Sequence, residues 1–259
     1  MKLKSIIQAI EQRVPLSYQE DYDNSGLQVG FPDAEVRSVL VCLDVTEEVL
    51  EEAARLGCQL VVSHHPLLFH SLKQVSDATY QQRCVVAALN HGIAVYSSHT
   101  CLDNAPGGVN HRMAEMLGLH DTDWLESAAD GKSGSGLIGF LPRKMEAMEF
   151  FNLLKTTFQV PDLRYSAGSE GHMVEKIALC GGAGAFLMRK AMEKGADCFV
   201  TGEMHYHDWF ESGPMLLAEL DHYHSEHHAA GLLRDIIHDS CPELELIVSQ
   251  TVTDPVKHL

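Results

Sequence analysis

Residues 37–65 read RSVLVCLDVTEEVLEEAARLGCQLVVSHH, and this stretch decides the fold. RSVLVCLDV is an apolar run rich in Val and Leu, the pattern of a strand buried on both faces of a parallel sheet. Thr46 can cap the acidic segment that follows, and Gly57 can end it. CQLVVSHH is a second buried strand, so the whole is a βαβ unit. That second strand stops on His64 and His65, followed by Pro66.

The order returns later. Residues 176–203, KIALCGGAGAFLMRKAMEKGADCFVTGE, give strand, helix, Gly and strand again. When the two stretches are superposed, Gly57 falls on Gly195, Val62 on Val200, Ser63 on Thr201 and His65 on Glu203. A further unit follows each: a helix, the strand IAVYSS and HTCLD in the first, and PMLLAEL with DHYHSE in the second. The expectation is a duplicated α/β fold with mostly parallel sheets. One lobe spans residues 1–126 and the other 127–259, with the C-terminal helix and strand able to pack back on the first. The boundary is placed before DGKSGSG, read as a flexible stretch.

Composition narrows the function. Lys and Arg number 19 against 36 Asp and Glu, a formal charge of −17. Such a surface repels phosphate backbones and argues against broad nucleic-acid binding. It leaves room for phosphate chemistry where a metal supplies the positive charge. The seven cysteines show no CxxC pair. They sit in apolar runs such as VLVCLDV and read as reduced, structural thiols of a cytoplasmic protein. The N-terminal MKLKSIIQAIEQRV has the spacing of an amphipathic helix, not of a signal peptide, and no apolar run reaches membrane-spanning length.

The 16 histidines are the conspicuous excess. Four predicted strands end in metal-competent groups: SHHP, SSHTCLD, TGEMHYHD and LDHYHSEHH. Ligands gather at the carboxyl ends of strands in open parallel sheets. Consecutive side chains of an extended chain diverge, and Pro66 favours extended geometry at His65, so His64 and His65 suit two neighbouring ions better than one. The alternative is a turn with exposed histidines. His99 and Asp103 lie just past a strand and pair an imidazole with a carboxylate. Asp103 can equally be a turn residue before Asn-Ala-Pro-Gly-Gly, and Asn110 can cap the next helix. His222 and Glu226 share a face if HYHSE is helical; if Ser225 is the cap, His222 lies in the preceding loop. His227, His228 and His238 read as solvated helix residues. His205, His207 and His224 stand close in sequence to this group and can support its ligands. GGAG at 181–184 lacks a complete nucleotide motif and reads as a tight turn.

In order along the chain, YDNSGLQVG (22–30), SHHP (63–66), SSHTCLDNAPGGVN (97–110), CGGAG (180–184), TGE (201–203) and HYHSE (222–226) resemble the motifs of the NIF-three-like proteins. Members are labelled GTP cyclohydrolase 1 type 2 homologs or dinuclear metal centre proteins. The resemblance implies a two-lobed α/β fold with a dinuclear site between the lobes and no inserted third domain. It also implies a toroidal homohexamer acting on a small molecule. Carried over by motif, the metal ligands are His64, His65, Asp103, His222 and Glu226, with Glu226 bridging two divalent ions. Imidazole and carboxylate without thiolate suit Zn, Mn, Fe, Co or Ni. His99, His205 and His207 are candidates for moving protons or supporting ligands. The chain departs from the family at Asp221, where Gly is usual, at His111, where Asp is usual, and near GSGLIGF, where an Arg is often found. The expected activity is metal-dependent hydrolysis of a nucleotide or phosphoester. The alternative is a non-enzymatic metal-binding, metal-trafficking or protein-interaction role.

Overall fold

A computed structural model describes residues 1–129, 131–257 and 259. The chain opens with α1 (Leu3–Arg13), β1 (Gly26–Val29), β2 (Ser38–Cys42), α2 (Glu47–Arg55), β3 (Leu60–Ser63), α3 (Tyr80–His91) and β4 (Ala94–Ser97). It continues through α4 (Thr100–Asp103), α5 (Val109–Met116), β5 (His120–Ser127), β6 (Gly134–Glu146), α6 (Ala147–Phe158) and β7 (Arg164–Tyr165). Then come β8 (Met173–Cys180), α7 (Met188–Glu193), β9 (Cys198–Thr201), β10 (Leu216–Glu219), α8 (His222–Glu226), α9 (Ala229–Ser240) and β11 (Glu245–Val248).

The chain divides into one unit of residues 1–102 with 229–255 and another of 103–228 with 256–259. The divisions fall at 102/103, 228/229 and 255/256, and α9 and β11 belong to the first unit. Residue 130 lies outside the described residues, and Gly134–Gly136 already belong to β6. A turn closed by Ala128 N–H donating to Ser133 O (2.9 Å) joins β5 to β6 as a hairpin.

In the first unit the sheet order is β1-β4-β3-β2-β11, parallel except for the β1 edge. The predicted βαβ unit is β2-α2-β3. Thr46 Oγ1 accepts the Val49 N–H (3.3 Å), Glu47 and Glu48 occupy the positive first turn, and Gly57 (φ 70°) carries the chain out. Val49, Leu50 and Ala53 face Leu40, Val61 and Val95 in the core. Glu52, on the same helix, is buried too. It accepts from Ser249 Oγ (2.6 Å), Gln250 N (2.9 Å) and Thr251 Oγ1 (2.7 Å), which ties the chain beyond β11 to α2.

The second unit has the order β5-β6-β8-β9-β10-β7. Only β8, β9 and β10 run parallel; the hairpin partner β6 and the edge β7 are antiparallel. The sequence expectation of a mostly parallel sheet thus describes the first unit and the centre of the second. Short turns such as that between β5 and β6 can join only antiparallel neighbours. Phe150, Phe151, Leu154 and Phe158 of α6 fill one face, against Ile177 and Val200.

All seven cysteines are buried, and among the described residues none forms a disulfide. Burial pushes the Cys84 thiol up to about 11, so these side chains behave as small apolar groups. Among the described residues no helix is long and apolar enough to cross a membrane.

Candidate metal centre

The register of the first sheet sets its polar end. Cys42, Ser63 and Ser97 stand side by side at the carboxyl ends of β2, β3 and β4. The buried Ser63 and Ser97 hydroxyls lie 2.8 Å apart, and Ser63 Oγ donates to His65 O (2.8 Å). This fixes the backbone where β3 hands over to the two histidines.

Each imidazole here is held through Nδ1. His64 Nδ1 donates to Ser98 O (3.0 Å), His65 Nδ1 to Asp44 Oδ1 (2.7 Å) and His99 Nδ1 to Asp23 Oδ1 (2.8 Å). A carbonyl or carboxylate oxygen can only accept, so the proton belongs on Nδ1 and the lone pair on Nε2. One ligand nitrogen from each of His64, His65 and His99 lies within 4.8 Å of the others. Nitrogens about 2.1 Å from one ion sit up to about 4 Å apart, so the spacing is of the right order.

The anchoring carboxylates are built for the task. Asp23 has a fully buried side chain. Its Oδ1 accepts from Asn24 N (2.7 Å) and His99; its Oδ2 accepts from Ser25 Oγ (3.0 Å), Thr100 N (3.0 Å) and Thr100 Oγ1 (2.6 Å). Burial opposes the charge of Asp23, but the donors from His99 and Thr100 outweigh it and hold the carboxyl well below the usual range. Asp44 is likewise lowered against its burial, by His65 and by Thr253 Oγ1 at 2.6 Å. A histidine whose second nitrogen is held by a carboxylate is the usual arrangement of a metal-ligating imidazole.

The second unit carries the other candidates. Cys180, Thr201 and Glu219 align at the ends of β8, β9 and β10. HYHSE is the helix α8, so His222 and Glu226 share a face, with His222 Nε2 3.0 Å from Glu226 Oε2. His222 Nδ1 is held by Glu203 Oε1 (2.7 Å), the residue that falls on His65 in the repeated pattern. Glu226 is 3% exposed and fits against GGAG. A methyl group at Gly182 (φ 58°) would overlap its Oε1. The glycines thus make room for a carboxylate. Ser225 is not the cap: its hydroxyl accepts from Gly182 N (3.0 Å) and donates to His222 O (2.8 Å).

Asp221 caps α8 instead, accepting from His224 N (2.8 Å) and pairing with His224 Nδ1 (2.7 Å). It does so at φ 64°, ψ 163°, a region almost reserved for Gly. Asn110 is not a cap either; Gly108 precedes α5. The buried Asn110 amide donates to Asp103 O (3.1 Å) and accepts from Gly181 N (3.0 Å), which joins the Asp103 backbone to GGAG.

Several histidines play other parts. His205 and His207 are exposed at a 3-10 turn (Tyr206–Phe210), and among the described residues neither is hydrogen-bonded to a candidate ligand. His111 packs edge-on against Trp124 (4.7 Å), and burial pushes its imidazole pKa down, which disfavours the charged form. His227 and His228 are half-buried, not solvated; His227 stacks on Tyr223 (5.7 Å), and of these three His238 alone is exposed. Sequence reading missed the roles of Asp23, Asp44 and Glu203. Asp23 and Glu203 lie within the quoted motifs YDNSGLQVG and TGE, and Asp44 sits past the end of β2, so position at a strand end was the available signal.

Imidazoles held by carboxylates at strand ends, beside further carboxylates, define a candidate metal-binding α/β protein. The chain belongs to the Duf34/NIF3 (NGG1p interacting factor 3) family, whose model matches residues 1–255. It is 33% identical over 264 residues to the GTP cyclohydrolase 1 type 2 homolog of Clostridium perfringens (strain 13 / Type A), with 100% of both chains covered. It is 28% identical over 272 residues to NIF3-like protein 1 of Drosophila melanogaster, covering 98% of this chain and 88% of that one. The crystal structure of a Bacillus cereus protein related to NIF3 has the same fold, with a TM-score of 0.94 at 23% identity over 100% of this chain and 99% of that one.

Proposed function

We propose that this protein is a dinuclear divalent-metal hydrolase acting on a nucleotide or phosphoester, with His64, His65, Asp103, His222 and Glu226 as ligands. The observation that carries the reading is the anchoring of His64, His65 and His222 through Nδ1, which puts the ligating lone pair of each imidazole on Nε2. The donor set of imidazoles and oxygens without thiolate fits Zn, Mn, Fe, Co or Ni. The names of relatives such as the Clostridium perfringens protein support the hydrolase class.

Bound divalent ions would supply Lewis acidity and lower the pKa of water towards neutrality. The chain's own residues do the rest. Asp44 and Glu203 hold His65 and His222 in the ligating tautomer, and Gly182 leaves the space that Glu226 fills. His99, oriented by a carboxylate that stays ionised, can take a proton at Nε2 and return it. By the same resemblance we propose a toroidal homohexamer in the cytoplasm.

The test is turnover by protein of known metal content on nucleotide and phosphoester panels, beside Glu226→Ala. The reading expects activity that tracks metal content and disappears in the variant. Activity that persists after the metal is lost refutes it. Metal exchange without turnover on any panel favours the trafficking role instead.

A further inference from the structure

The sixteen residues from His64 to Thr79, between β3 and α3, hold no helix or strand. Irregular segments of that length in an ordered domain are usually functional. This one starts on the histidine pair and encloses a cavity of about 470 Å³, within the range of small-molecule sites. Its lining includes Leu67, Leu72, Phe69, Tyr80, His70 and Lys73. Leu67 and Leu72 belong to or pack against the core of the first unit, so the floor is firm.

Two features define what would fit. The first is aromatic surface: Phe69 and Tyr80 are 38% and 50% exposed although both line the cavity. The second is charge. Among the described residues no carboxylate lines the cavity, in a chain of net charge −17. Asp77, the only acidic residue of the segment, lines a different cavity with Glu47 and Arg83. Lys73 makes no ion pair among the described residues, whereas Lys2, Lys4, Lys190 and Lys194 each do. Phe69 also meets the histidine cluster edge-on, its ring centroid 6.1 Å from that of His99 and 5.0 Å from that of His70.

We propose that this cavity is a substrate subsite for a planar ring bearing a phosphate, with the ring on Phe69 and Tyr80 and the anion on Lys73 and His70. Aromatic faces take a flat ring through stacking, and a free ammonium is a compact partner for phosphate. Contact between Phe69 and His99 places such a ligand beside the histidines. The choice of phosphate among anions rests on the phosphoester reading above.

The experiment measures equilibrium binding of AMP, adenosine and inorganic phosphate to full-length, metal-loaded protein, with metal content determined in every sample. The proposal expects AMP to bind more tightly than either fragment. Lys73→Met should weaken AMP about fivefold and leave adenosine unchanged, as loss of a partly solvated charge pair would. Lys73→Arg should restore AMP binding, and Phe69→Ala should weaken AMP and adenosine together at constant metal content. Wild-type AMP affinity in both Lys73→Met and Phe69→Ala overturns the proposal. So does AMP that binds no more tightly than inorganic phosphate, the mark of an anion held by metal alone. Turnover is read separately. Binding that follows this pattern without hydrolysis refutes the hydrolase and leaves the subsite, whereas hydrolysis with wild-type KM in both variants refutes the subsite and leaves the hydrolase.

Discussion

Replacing Asp23 by Asn removes one charge from the most saturated carboxylate of the first unit. Five donors converge on it, from Asn24, Ser25, His99 and twice from Thr100. An amide keeps one oxygen, enough for Asn24 N and His99 Nδ1. Its NH2 then faces the other three donors. The Ser25 and Thr100 hydroxyls can rotate, but the Thr100 N–H cannot, and an unsatisfied buried donor costs about 1–3 kcal/mol. Losing the charge from the His99 bond adds about 1 kcal/mol. The total is about 2–4 kcal/mol, or a fall in Tm of about 6–12 °C for a chain of this size. The assay is thermal unfolding of metal-free protein at pH 7 by circular dichroism, with Asp23→Glu beside it as a control for shape. A fall of under about 2 °C would refute the claim that Asp23 is an anchoring acceptor.

Other expectations follow from single contacts. Gly182→Ala places a methyl on Glu226 at a positive φ and should lower stability by about 1–3 kcal/mol and metal content together; full metal occupancy would contradict the fit. Asp221→Gly loses the cap and the His224 pair but relieves the backbone strain, so its Tm should stay above that of Asp221→Ala. Asp221→Ala keeps the strain and loses the cap and His224, so its Tm should fall by about 3–6 °C; the reverse order of the two variants would sink the strain argument. Glu52 gives a pH prediction. Burial opposes its charge, but Ser249, Gln250 and Thr251 outweigh it and its pKa is lowered. The folded state therefore binds this proton less readily than the unfolded state. Its contribution is intact above the ordinary value of 4.5 and is lost as pH falls through the lower folded value. Metal-free wild type should lose more Tm than Glu52→Gln on going from pH 6 to below 4.5, and parallel curves would count against it.

What was legible in the sequence was local. β2-α2-β3 and β8-α7-β9 were readable because buried parallel strands are continuous apolar runs and their helices end at Gly57 and Gly195. HYHSE was half readable, since helical spacing put His222 and Glu226 together but did not decide the cap. The partners of those residues were not readable. Asp23 lies 76 positions from His99 and Asp44 lies 21 from His65, so no periodicity connects them. Asn110 looked like a cap because its local sequence permits one; its real partners, Asp103 and Gly181, come from chain segments brought together by the fold. The unit divisions at 102/103, 228/229 and 255/256 likewise follow from packing.

The central claim is that these histidines and carboxylates hold metal. It is tested most directly by elemental analysis of the native protein, wild type beside His65→Ala and Glu226→Ala, at matched folded fractions. The account predicts two divalent ions per chain in the wild type and at most one in each variant. A wild type purified without stoichiometric metal, or variants that keep both ions, would contradict it.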